Sequence, residues 1–158
     1  MRVAVGSDHA GYALKTHLAR QLADWGHEVV DLGTDRADVS VDYPDFAAAV
    51  GRMVASGAAD LGVAACGSGI GVAIAANKVP GVRAATVHDV TSAHLAREHN
   101  HANVLCFGER LIGPDVAVEA LRAWLEATPG DGRHVRRVDK IASLEDAPWG
   151  EERRGVTL

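Results

Sequence analysis

The chain reads as an α/β protein: a five-stranded parallel sheet, doubly wound, with helices on both faces and a C-terminal helical arm. Three observations predict this. Short β-rich runs alternate with stretches whose apolar residues recur at helical spacing, the pattern of repeated strand–helix units over a parallel sheet. Turn-rich motifs, SDHAG and CGSGIG, directly follow the first and third of those runs. A length of 158 residues, 47% apolar and 23% charged, fits one domain with a sizeable core.

The elements follow in order. Arg2 to Gly6 (RVAVG) is the first strand, and Leu14, Leu18, Leu22 and Trp25 then share one helical face. Glu28 to Leu32 (EVVDL) and Leu61 to Ala65 (LGVAA) are the second and third strands, the third running into CGSGIG and an alanine-rich helix. Arg83 to His88 (RAATVH) and Val104 to Gly108 (VLCFG) complete the sheet, and Ala117, Ala120, Leu121, Trp124 and Leu125 line the helix after it. TPGDGR breaks the pattern before a last amphipathic piece, Arg133 to Asp146, with Val135, Val138 and Ala142 on one side and Arg133 and Arg137 on another. This piece is read as an arm (128–147) of a single domain spanning 1–147; 148–158 is expected to be a flexible tail. Among Rossmann- or flavodoxin-like arrangements, strand order 2-1-3-4-5 is expected, which makes the turns after strands one and three neighbours at the switch point.

Composition narrows the function. A net charge of −5 argues against a nucleic-acid surface, and no apolar window approaches the roughly 20 residues of a membrane span. The start MRVAVGSDHAG lacks a signal-like core, so a cytoplasmic location is expected. Cys66 and Cys106 lie in or beside strands and read as free thiols.

Four constellations carry chemistry. In Cys66-Gly67-Ser68-Gly69-Ile70-Gly71, backbone N–H groups and a helix start converge on one spot, which suits a phosphate or a developing oxyanion and favours a thiolate usable as base or nucleophile. A buried structural cysteine before a tight turn is the alternative. A dinucleotide fingerprint fails because its third small residue is Val72 and the loop follows the third strand; a P-loop fails for want of Gly-Lys-Ser/Thr. Asp8 and His9 in SDHAG can bind sugar hydroxyls or a phosphate, although Asp8 can equally cap a helix. His94, His99 and His101 lack metal-ligand spacing, so no metal is expected, and His99 suits acid/base work near neutrality. GRHVRRVDK, Gly132 to Lys140, is either a solvated basic face or an anion grip through Arg133 and Arg137 at i and i+4.

These segments in sequence, GSDHAGYALK, VDYPDFA, CGSGIGVAIAANK, AREHNHANVL, FGERLIG and GRHVRRV, resemble the ribose/galactose phosphate isomerase family, which includes ribose-5-phosphate isomerase B and galactose-6-phosphate isomerase. The resemblance spans Arg2 to about Ala147. It implies aldose–ketose isomerisation of a small sugar phosphate, D-ribose 5-phosphate to D-ribulose 5-phosphate, through a cis-enediol without metal or organic cofactor. By position it implies Cys66 as the base between C1 and C2, Ser68 and His99 in ring opening, and Asp8 near the reactive end of the sugar. His9, Arg133 and Arg137 match phosphate-binding positions, Asn100 and Arg110 ligand-contacting ones, and Tyr43 a pocket wall, with the N–H groups of Gly67, Gly69 and Gly71 facing the enediolate. A subgroup instead places a glutamate base where this chain has Val72. The role of His101 stays open. Homodimers, sometimes paired into tetramers, with composite sites are also implied. A six-carbon phosphate such as allose or galactose 6-phosphate, or a non-catalytic sugar-phosphate sensor, are the competing readings.

Overall fold

The computed structural model describes residues 1–146, so the expected tail lies outside the described residues. The strands are β1 (Arg2–Ser7), β2 (Glu28–Asp31), β3 (Leu61–Cys66), β4 (Ala84–Thr86) and β5 (Val104–Gly108). The helices are α1 (Tyr12–Asp24), α2 (Tyr43–Ala55), α3 (Ile70–Ala76), α4 (Val90–Asn100), α5 (Pro114–Glu126) and α6 (Arg133–Asp146), with a 3₁₀ turn at His9–Gly11 before α1. All ladders are parallel.

The strand order is β2-β1-β3-β5-β4, which corrects the expected 2-1-3-4-5. Burial explains the exchange. Every residue of VLCFG is buried and needs a strand on each side, whereas RAATVH yields only three paired residues of intermediate exposure, suited to an edge. Asn77 closes that edge: its Oδ1 accepts from the Ala84 N–H at 2.8 Å and its Nδ2 donates to the Ala84 carbonyl at 2.9 Å.

Two apolar layers sandwich the sheet. Leu14, Leu18 and Leu22 of α1, Ala93 and Ala96 of α4, and Leu121 and Trp124 of α5 pack on one face with Val3, Val5, Leu105 and Phe107. Val50 and Val54 of α2 and Val72 and Ala76 of α3 cover the other, with Ala64 and Cys106. Helices that return the chain leftward and rightward across the sheet thus lie on opposite faces, as right-handed crossovers require. The new order keeps the β1/β3 switch point, where Ser7 pairs with Ala65, and brings β5 against β3, where Cys66 pairs with Gly108. Three strand ends therefore meet at one place.

Candidate active site

The three ends build an open cleft of about 400 Å³ lined by Asp8, His9, Tyr43, Cys66, Gly67, Ser68, Gly71 and Arg110, with Ala10 and Leu111. Cys66 is only 4% exposed, yet it lies in the wall of this cleft rather than behind it. Its Sγ accepts from the Gly69 N–H at 3.2 Å, so the turn already offers a donor to sulfur. Cys106 is the contrast: burial first, and the nearby Cys66 second, push its thiol far above the ordinary range, leaving it inert in the core.

Each wall has a local cause. Asp8 Oδ1 accepts from the N–H groups of Ala10 and Gly11, both at 3.0 Å, so the capping alternative holds for that oxygen while the residue still lines the cleft. His9 Nδ1 accepts from the Val41 N–H at 3.2 Å, which leaves Nε2 to carry the proton of the neutral ring. Arg110 sits over Gly67, where a Cβ would come within 3.4 Å of its guanidinium. Tyr43 starts α2, and its ring rests on Gly71, where a Cβ would come within 2.7 Å. At Gly69, with φ +76°, a Cβ would meet the Gly108 nitrogen at 2.8 Å. The loop's glycines thus admit protein groups at close range.

Two supports lie inside quoted motifs, GSDHAGYALK and FGERLIG, without having been assigned a role there. Lys15 is 2% exposed, with Nζ 2.7 Å from Asp31 and donating to the Thr34 carbonyl at 3.0 Å, which ties α1 to the start of the β2–α2 loop. Glu109 accepts from the Leu14 N–H at 2.9 Å, joining the β5 end to the first turn of α1. Both partners are distant in sequence and become visible only when the strand ends converge.

The remaining candidates stand elsewhere. α4 runs back along the sheet, so His99 and Asn100 lie near the amino end of β5, where Gly62 N–H bonds the Asn103 carbonyl. The Val104–Gly108 strand alone separates the two ends by about 13 Å. There His99 stacks on His134 with ring centroids 4.4 Å apart, beside Glu98, and Arg133 lies 3.4 Å from His134. Arg133 and Arg137 extend from the first turns of α6. Desolvation, then the neighbouring His99 and Arg133, lower the His134 pKa below its ordinary value. The structure therefore gathers two groups: a thiol cleft, and a histidine–arginine cluster at the opposite end.

A larger hollow of about 620 Å³ between α1 and α5, lined by residues such as His17, Glu119 and Arg122, includes no strand end and no thiol. Among the described residues, no cluster of three or more His, Cys, Asp or Glu is placed to hold a metal ion, and no helix is long and apolar enough to cross a membrane.

Comparison with known proteins identifies the family and the fold. Residues 3–141 match the model of the Ribose/Galactose Isomerase family. A solved structure of Clostridium thermocellum ribose-5-phosphate isomerase B is 48% identical, with a TM-score of 0.91 over 92% of this chain and 98% of that one. The Mycoplasma genitalium ribose-5-phosphate isomerase B, solved with bound ribulose-5-phosphate, is 41% identical with a TM-score of 0.89, covering 93% and 97% of the two chains. A D-erythrulose-4-phosphate isomerase of Pectobacterium atrosepticum is 39% identical over 92% of this chain and 95% of its own. With the family model spanning most of its length and its fold shared with these relatives, the chain belongs to the ribose/galactose isomerase family.

Proposed function

We propose that the protein interconverts D-ribose 5-phosphate and D-ribulose 5-phosphate, with Cys66 as the base. The observation that carries this reading is a thiol in the wall of an open cleft, next to backbone N–H groups, an arginine and the His9 imidazole. Cys66 thiolate removes the proton from C2 of the open aldose, and charge develops on O1, facing the N–H groups of the Gly67–Gly71 turn. O1 gains a proton, O2 loses one, and the thiol returns its proton to C1, giving the ketose with no net change in atoms or electrons. Asp8 holds the sugar near its reactive end, Ser68 assists ring opening, Arg110 contacts the ligand and Tyr43 walls the pocket.

The cleft is completed by a second copy of the chain. His99 and Asn100, for ring opening and sugar contact, and Arg133 and Arg137, for the phosphate together with His9, come from that copy. Two features support this. The four residues lie at the far end of their own sheet, and Ile70, Ile74 and Leu111 leave apolar side chains 53%, 60% and 56% exposed on and beside the turn. Phosphate held away from the reacting carbons lets binding energy orient the sugar during proton transfer.

The test is a panel of D-ribose 5-phosphate, D-erythrulose 4-phosphate, and allose and galactose 6-phosphates, assayed with the wild type and Cys66→Ala. The expected result is the highest kcat/KM for ribose 5-phosphate. In Cys66→Ala, kcat should fall by about 10²- to 10⁴-fold while phosphate binding persists. Near-normal turnover by that variant removes the thiol as base; a higher kcat/KM on another sugar reassigns the substrate.

A further inference from the structure

We propose that His101 is a positioning residue: its side chain clips the 128–132 loop to the end of α4, and so sets the place of Arg133 and Arg137 relative to His99 and Asn100. The proposal rests on the reading of those arginines as the phosphate clamp.

His101 terminates α4 in the left-handed region, at φ 50° and ψ 36°, and it is the one non-glycine residue with positive φ among the described residues. Helices commonly end this way with glycine at this position, because a Cβ there is strained. Here the position is occupied by a residue that loses backbone ease and gains a ring. That ring is used: His101 Nε2 lies 2.8 Å from the Gly130 carbonyl oxygen. A carbonyl only accepts, so Nε2 carries the proton and donates. The Gly130 N–H in turn donates to the Glu98 carbonyl at 2.8 Å. Both polar groups of one peptide residue in the loop are thereby bound to the last turn of α4 and its cap. The contact is close, since a Cβ on Gly130 would come within 2.9 Å of the Glu98 oxygen and 3.1 Å of the His134 ring.

His101 is itself held from behind. Its N–H donates to the Arg97 carbonyl at 3.1 Å, and Arg83 Nε donates to its carbonyl at 3.1 Å. The clip matters because α6 has few other holds. Val138 is its one buried residue, and Glu145 accepts from the Gly81 N–H at 2.9 Å at its far end. Near its first turn, the holds are the Gly130 pair and the His99–His134 stack. Freed there, α6 would pivot about Val138 and Glu145, and its first turn with Arg133 would move most, while Arg137 beside the pivot would mainly change its direction.

His101→Gly separates the two roles of this residue, because it relieves the backbone strain while deleting the ring. The clip predicts an unchanged or raised Tm, a KM for D-ribose 5-phosphate raised about 3- to 10-fold, as loss of one net hydrogen bond implies, and kcat within about twofold of wild type. His101→Gln, whose amide nitrogen reaches near the position of Nε2, should recover part of the KM. Arg137→Ala serves as the reference. If Arg137→Ala raises KM and His101→Gly does not, the clamp stands and the positioning role is overturned. If neither moves KM, the clamp reading fails, and hydrogen exchange decides the clip on its own: faster exchange across 128–137 in His101→Gly supports it, and unchanged exchange overturns it.

Discussion

At the scale of single residues, two glycines of one loop have opposite requirements. Gly69 has φ +76° and its missing Cβ would strike the backbone of β5, which cannot yield. Gly71 has ordinary helical backbone, and its missing Cβ would strike only the half-exposed Tyr43 ring, which can swing aside. Gly69→Ala should therefore destabilise the fold by at least about 2 kcal/mol in chemical denaturation, from left-handed strain plus overlap. Gly71→Ala should leave stability near wild type, since alanine favours the helix, while displacing the tyrosine wall and raising KM several-fold. Equal stability of the two variants would mean that the loop tolerates side chains uniformly and that this packing is misassigned. The sequence marks both positions as flexible and cannot tell them apart, because what each glycine touches comes from another strand or helix. Asp8 was legible as a cap, since a short carboxylate after a strand accepts from the N–H groups of the next turn, and the same residue lines the cleft.

At the scale of elements, all five strands were legible from their apolar runs and the arm Arg133–Asp146 from its break and its periodicity. Which strands are neighbours was not. Local pattern reports burial of a run, whereas the order of β4 and β5 depends on comparing burial between runs, and RAATVH looked longer as a sequence than the three residues that pair. The α4–α6 junction also carries a pH response. Desolvation first, then the neighbouring His99 and Arg133, lower the His134 pKa, with Glu98 opposing. A depressed value in the folded state means that this packing contributes fully above about pH 6.5, the ordinary histidine value, and is lost as pH falls through the lowered one. Amide exchange in α6, corrected for intrinsic rates, should quicken between pH 7 and pH 5 relative to α5. His134→Asn should abolish the difference. Exchange in the wild-type arm that tracks α5 across this range would show that the stack does not hold α6.

At the scale of the whole molecule, one chain presents half of the proposed site at each end of its sheet. The sequence names the residues of both halves but not their separation, because α4 and α6 carry theirs to the amino ends of the strands while the glycine turn lies at the carboxyl ends. Two chains in antiparallel register would bring each cleft to the other's arginines. The direct test is co-expression of Cys66→Ala with the double variant Arg133→Ala/Arg137→Ala, assayed with ribose 5-phosphate well below the wild-type KM. Each parent alone should be nearly inactive. Random pairing makes half of the dimers mixed, each with one intact site, so a composite site predicts about a quarter of wild-type activity. Activity no greater than that of the two parents would contradict a site shared between chains.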